Sequence, residues 1–442
     1  MKRNSFIYGS IILAFSSLII RLISFSYDVF LSRVIGGEGI GIFHMIMPIF
    51  MIALTLTTSG IPTAISKITS REQSMGNHYM IIKNLKLSIL LILGLCGMTS
   101  IILISQAKRI NYFIFQDKDV VTSFFLLVPA IFLISITSAI RGFLYGLNKM
   151  AQAGMSEVVE HITRFIGVML ILSFFPPSDP WTAANIAIIG ISIGEFFDLI
   201  YLIYLYKKQF RNTAFFLKKV STRSMIHQIF STASPLTILG IINLTSQFLI
   251  SIILPKSLMV SGMSLLESTE AYGRIMGMTM PLIYLPYIFT SSLVINIIPS
   301  ITSQLQKNSL RRIKKDIHLA LSITLLIALP LSIVYVAFGN PLGTLLYEDS
   351  YVGTYIRIMG IATVFISLHH MLSGVLYGLG KEKYVAINHL IGMNVQLLSI
   401  LYVRDPHYGL NAYFIGFILS SIVTCLLDWR LLLRTIDIHL AT

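Results

Sequence analysis

Arg21 and Asp28 stand seven residues apart in a stretch that is otherwise nearly all apolar, a spacing that puts both on one helical face, two turns apart. Glu157, Glu160, His161 and Arg164 crowd a second apolar stretch, with Glu160 and Arg164 four residues apart. Glu195 and Asp198 lie in a third stretch, Arg274 opens a fourth and Arg357 lies in a fifth. An ionisable group in hydrocarbon costs about 2.5–3.5 kcal/mol or more, so it is retained only where it meets a partner or a polar cavity. Two chemistries fit these residue types. Guanidinium groups at Arg21 and Arg274 suit bidentate binding of phosphate, with Asp28 orienting or neutralising an arginine between turnovers. Carboxylates at Glu157, Glu160 or Glu195, with Arg164 and Arg357 lining the same polar interior, suit a coupling proton or cation. The plain structural alternative is that the charges pair off, Arg21 with Asp28 and Arg164 with Glu160, and that Glu157, Asp198 and Arg357 reach the interface.

Other chemistry lacks its residues. His369 and His370 are adjacent and point to different helix faces, and Cys96 and Cys425 have no metal-ligand spacing, so no metal is expected. Gly36-Gly37-Glu38-Gly39-Ile40-Gly41 lacks the third glycine of a dinucleotide loop. No phosphate loop ending in Gly-Lys-Ser/Thr and no His-Glu-x-x-His occurs. The expectation is a protein that is not an enzyme, needs no cofactor and draws on no nucleotide site of its own. A membrane glycan polymerase or ligase would need large outer loops for its acceptor, and the loops here are short. Basic clusters are brief and lie between apolar runs, which argues against nucleic acid as a partner.

The elements that position these charges are membrane helices. Of 442 residues, 55% are hydrophobic and 12% charged, half the charge that an average soluble domain carries. Runs long enough to cross a bilayer fall near 8–32, 40–66, 85–106, 121–145, 155–175, 183–206, 227–254, 272–299, 317–338, 352–378, 384–403 and 412–433. The first is read as a retained span, since Arg21 and Asp28 interrupt it and no small-residue cleavage site follows. With the N-terminus inside, the inner loops and termini carry 22 Lys and Arg, from Lys2 to Arg434, and the outer loops six. Both termini are therefore expected in the cytoplasm.

The chain also repeats itself. Gly142-Phe143-Leu144-Tyr145-Gly146-Leu147-Asn148-Lys149 returns in the second half as Gly374-Val375-Leu376-Tyr377-Gly378-Leu379-Gly380-Lys381. Ile61-Pro62 with Ser66 parallels Ile298-Pro299 with Ser303 at a closely similar offset. Each half then holds six spans in one orientation. The expected fold is an all-α polytopic membrane protein of about 12 helices in two six-helix lobes, related by a parallel pseudo-twofold repeat. An N-terminal lobe would cover 1–206, a cytoplasmic linker 207–226 and a C-terminal lobe 227–442. Gly-x-x-x-Gly pairs such as Gly37/Gly41, Gly142/Gly146 and Gly374/Gly378 mark close helix packing. Pro48, Pro129, Pro235, Pro281, Pro286 and Pro330 fall inside spans, where proline bends a helix.

The stretches Leu31 to Gly41, Gly60-Ile61-Pro62-Thr63-Ala64-Ile65-Ser66-Lys67, Arg141-Gly142-Phe143 through Ser156-Glu157-Val158-Val159-Glu160-His161-Ile162-Thr163-Arg164, and Ala271-Tyr272-Gly273-Arg274 together resemble the stage V sporulation protein B family. That family lies in the polysaccharide-transporter branch of the multidrug/oligosaccharidyl-lipid/polysaccharide (MOP) exporter superfamily. The resemblance implies two six-helix, MATE-like lobes, alternating access and export of lipid-linked sugar precursors, including those of the spore cortex. The lipid II flippase branch is similar too. By position, Arg21, Asp28 and Arg274 match its pyrophosphate-binding basic residues and their acidic neighbour, while Tyr27 stands where that branch has a second arginine.

The resulting expectation is a flippase in the bacterial cytoplasmic membrane that exports an anionic lipid-linked oligosaccharide or peptidoglycan precursor. Its partners would be that substrate, membrane lipids and a coupling cation or the membrane potential. The alternative is a cation-coupled exporter of small molecules.

Overall fold

Apolar runs of about 20 residues satisfy their backbone in a bilayer as helix, even where a proline bends it, and the computed structural model follows that rule. It describes residues 3–114, 120–210, 222–306, 309–406 and 409–441, and among these there is no strand. The order is α1 (Arg3–Thr58), α2 (Ile61–Ser74), α3 (His78–Ile114), α4 (Val121–Gly146), α5 (Met150–Phe174), α6 (Pro180–Phe210), α7 (Thr222–Val260), α8 (Leu265–Gly273), a π-helical turn (Arg274–Thr279), α9 (Met280–Ile283), α10 (Tyr287–Gln306), α11 (Leu310–Tyr347), α12 (Ser350–Met359), α13 (Ala362–Gly378), α14 (Glu382–Tyr402) and α15 (Gly409–Ala441).

Every expected span has helix beneath it, but not in twelve tidy rods. Among the described residues, eight segments are long and apolar enough to cross a membrane, or nine if the bent pair α12–α13 counts as one span. The differences have local causes. The long stretch α1 holds two helices that meet at Gly36, at φ 71° and ψ 176°, between expected spans 1 and 2, so one counted segment covers both. Span 5 is helical as α5, but Glu157, Glu160 and Arg164 make it too charged to qualify alone. Span 8 is interrupted by the π turn and by the Tyr284–Pro286 turn before α10. Phe338, at φ −120°, bends α11 just ahead of Pro341, whose ring crowds the preceding turn. Residues 360–361 bend α12 against α13 by 54°.

The chain falls into two compact units. One comprises Met1–Tyr27 and Ile42–Leu249, the other Asp28–Gly41 and Ile250–Thr442. Residues 211–221, the middle of the expected linker, lie outside the described residues. In the first unit α4 packs on α2, α3 and α6, and α5 packs on α6. In the second, α13 packs on α10, α11 and α15, and α14 on α15, around Ile301, Ile317, Met371, Leu372, Val375 and Leu376. Both units are apolar outside. Leu90 and Ile101 on α3 are exposed, and Leu326 on α11 is 74% exposed, whereas Asp198 is 0% exposed. Such a surface suits lipid.

Glycines set the closest approaches. A Cβ on Gly146 would lie 2.7 Å from the Ser66 carbonyl, and one on Gly378 would lie 3.1 Å from the Ile298 carbonyl. The offset that carries Gly146 onto Gly378 also carries Ser66 onto Ile298, so the repeat keeps one register on α2/α4 and α10/α13. The Ile-Pro match lies five residues off that register. In the second unit a Cβ on Gly273 would fall 2.1 Å from the Gly37 carbonyl and 2.5 Å from the Gly41 nitrogen. Backbone cannot retreat as a side-chain tip can. Gly273→Val is therefore expected to cost about 3 kcal/mol or more. Buried Cys96 and Cys425 provide the readout, because a thiol-reactive dye labels them on unfolding: the midpoint temperature should fall by several degrees. An unchanged midpoint would contradict this packing.

Candidate functional site

Three helices of the first unit deliver charge to one place. Arg141 stands one turn before the end of α4. Its guanidinium donates to Asp198 and, at 3.2 Å, to Glu160 Oε2, and lies 3.7 Å from Glu195 Oε2. Glu160 comes from α5, and Glu195 and Asp198 come from α6, where a three-residue spacing sets them on one face. Arg164 caps the same Glu160 from the next turn of α5. The Thr137 hydroxyl donates to Glu195 Oε2 at 2.6 Å, and the Tyr145 hydroxyl donates to Glu157 Oε1 at 3.3 Å. His161 Nδ1 lies 2.9 Å from the Glu157 carbonyl and 3.8 Å from Glu160. Glu160, Glu195 and Asp198 are all buried.

Four carboxylates thus share two permanent cations. Glu160, Glu195 and Asp198 present oxygen atoms within 4.8 Å of one another, the grouping a metal ion would need. The Arg141 guanidinium already touches all three, so the resident cation is the protein's own. One buried oxygen, Asp198 Oδ1, has no hydrogen-bond partner. The expected Glu160–Arg164 pair is present, and Glu157 and Glu195 join it. Sequence reasoning misses Arg141 as the centre of this cluster because its acidic partners come from two other helices. Asp198 reads as a snorkelling residue. The signal for both is the i, i+3 pair on α6, which leaves two acids on one face in need of a cation.

Arg21 is half-buried on α1 and has no ion pair or hydrogen-bond partner among the described residues. In the second unit, Asp28 is half-buried within electrostatic reach of Tyr347. Arg274 opens the π turn and is clamped: Nη2 donates to Glu270 at 2.7 Å, Nε donates to Asp349 Oδ2 at 2.6 Å, and the guanidinium lies 4.7 Å from the Tyr351 ring centroid. Asp349 works twice, since its Oδ1 caps α12 by accepting from Tyr351 and Val352. Its neighbour Glu348 pairs with Arg33 at 2.5 Å. Irregular π turns concentrate at functional positions. Arg357 is exposed on α12 and joins neither cluster. The acidic partners of Arg274 and Arg33 in the turn between α11 and α12 lie where no helical spacing announces them.

A buried charge network on helices with an apolar exterior defines a multi-pass membrane protein, and solved structures share its fold. An inward-facing multidrug resistance MATE family transporter of the MOP superfamily superposes with a TM-score of 0.77, at 13% identity, covering 97% of this chain and 99% of that one. The chain belongs to the polysaccharide biosynthesis protein family, whose profile matches residues 6–265, and the MatE profile matches 274–403. Stage V sporulation protein B of Bacillus subtilis (strain 168) is 27% identical over 97% of this chain and 83% of its own length. Lipid II flippase MurJ of the same organism is 22% identical, covering 88% of this chain and 76% of that protein. By fold the chain resembles transporters of the MOP superfamily, and one of its named relatives is a flippase.

Removing one partner from a buried ion network leaves charge without compensation, at about 3–5 kcal/mol. Arg141→Met is expected to lower the yield of folded protein and its unfolding temperature by that measure. Adding Glu195→Gln and Asp198→Asn should recover a large part. Failure of the triple variant to exceed the single one would mean that the network is not held by charge.

Proposed function

We propose that this protein is a flippase for an anionic lipid-linked oligosaccharide or peptidoglycan precursor, working by alternating access in cell-wall or spore-cortex assembly. The observation that carries the reading is Arg21, a half-buried guanidinium on a membrane helix with no counter-ion among the described residues. Such a cation is tolerable where a phosphate periodically neutralises it. The family match and the kinship to a lipid II flippase support a glycan-bearing substrate. Arg274 is the second proposed phosphate ligand, and it would exchange Glu270 or Asp349 for substrate oxygens. Asp28 is assigned a neutralising role. The excess of inner basic residues supports both termini in the cytoplasm of a bacterial plasma membrane. An inside-negative potential then favours outward movement of each negative charge by about 2.3 kcal/mol per 100 mV.

One observation favours a second reading. The surplus of carboxylates over guanidiniums around Arg141 suits a cation-coupled exporter of small molecules, and the MATE-like fold is compatible with it.

The deciding assay reconstitutes the full chain in vesicles with a fluorescent polyprenyl-pyrophosphate glycan and an imposed potential. The wild type should move the probe, faster with the interior of the source side negative. Arg21→Ala should slow it by at least about tenfold, equivalent to one strong phosphate contact, and Arg21→Lys should retain part of the rate. A fully active Arg21→Ala protein would remove Arg21 from the phosphate site. Transport of cationic dyes under a proton gradient, with an immobile glycan probe, would favour the exporter instead.

A further inference from the structure

The second unit holds a polar cluster that the phosphate chemistry leaves unused. Asp428 of α15 is 0% exposed. It accepts from Asn388 Nδ2 of α14 at 2.8 Å and from the Ser373 hydroxyl of α13 at 3.3 Å, and its Oδ2 lies 2.8 Å from His369 Nδ1. Among the described residues no lysine or arginine pairs with it. The His389 ring of α14 stacks on His369, with planes 3° apart and centroids 5.8 Å apart.

The repeat shows what has changed here. The offset that carries Gly142 onto Gly374 also carries Thr137 onto His369, Arg141 onto Ser373 and Glu157 onto His389. Asp428 falls two residues short of the position that the same offset assigns to Asp198. Neighbouring turns of α4, α5 and α6 and of α13, α14 and α15 therefore build both clusters. In the first unit a permanent guanidinium neutralises the buried aspartate. In the second the only cation on offer among the described residues is an imidazole, which is charged only when it takes a proton.

A lone buried carboxylate is costly without a compensating charge. We propose that His369 and Asp428 form a proton-binding site in the second unit. The His369 Nδ1–H donates to Asp428 while Nε2 takes up a proton from water, which makes the pair neutral overall, and release returns that proton to water and leaves the pair at one negative charge. The His369 side chain is 18% exposed, so it is not sealed inside the packed helices. His389 limits the uptake to one proton, because two stacked imidazolium rings repel.

The surrounding groups leave this assignment intact. His370 faces away, stacked on Tyr287 and bonded to Thr290 of α10. Tyr377 and Cys425 lie within electrostatic reach of Asp428, and Glu382 within reach of Tyr377. On α11, Asp316 is held by Ser300 and Gln304, and His318 contacts Ser322. As a coupling device for transport the site rests on the transporter reading; as a proton site it does not.

The test is nitrogen-15 NMR on the full chain in lipid nanodiscs, with its 10 histidines labelled, titrated between about pH 5 and pH 8. The wild type should show an imidazolium signal that His369→Gln removes. Asp428→Asn should lower the protonated fraction of that signal at least about threefold at its midpoint, through loss of the opposite charge. His389→Gln should retain it, which keeps the test decisive if another variant fails to fold. Absence of a titrating signal assignable to His369, or one indifferent to Asp428→Asn, overturns the proton site whether or not the glycan probe moves. An immobile probe with the signal present overturns the flippase reading alone.

Discussion

The first unit depends on one guanidinium. Arg141 reaches acids from two other helices, and a carboxylate buried without a cation is far more costly than a lost apolar contact. That single group fixes the register of α4 against α5 and α6, because sliding any of them by one residue would carry an acid off the shared face. The residue after it, Gly142, meets the Pro62 backbone of α2, and Gly146 meets Thr69. One turn of α4 thus satisfies electrostatics on one side and close steric packing on the other, and a change in either is felt by both.

The second unit solves the same problem with weaker means. Its equivalent turns carry Ser373, His369, Asn388 and Asp428 in place of a ring of fixed charge. Permanent cations appear instead at Arg274 and Arg33, bound to acids in the turn at Glu348 and Asp349. A charge clamped by carboxylates can be released by a competing anion, whereas one without a counter-ion among the described residues, such as Arg21, stands ready for it. In the proposed phosphate site, an incoming anion would have to displace carboxylate oxygens at Arg274 but none among the described residues at Arg21.

The spans are legible because hydrophobic length is a local property, and so are the close-packed glycines and the repeat. Helix α5 lies where its apolar residues place it, although its charges keep it from passing as a free-standing span. What escapes is whatever depends on partners from distant elements. Arg141 looks like a loop-end residue until α6 brings Asp198 to it. Asp349 looks like a turn residue until Arg274 is beside it. The break between spans 1 and 2 falls at Gly36, inside the gap between the first two apolar runs. The π turn at Arg274 widens the helix by a hydrogen-bond shift, held in part by the Thr279 hydroxyl on the Arg274 carbonyl at 2.8 Å, and leaves the residue spacing of its neighbours undisturbed.

The charges on α5 bear on biosynthesis as well as on the finished molecule. A nascent segment bearing Glu157, Glu160 and Arg164 partitions poorly into lipid when presented singly by the insertion machinery. Glu160 finds counter-charge on Arg164 of the same helix and on Arg141 of α4, already synthesised, while the acids of α6 are still to come. Entry of α5 into the bilayer must accordingly wait at the translocation channel for company, so that insertion and tertiary assembly of these three helices are one event rather than two.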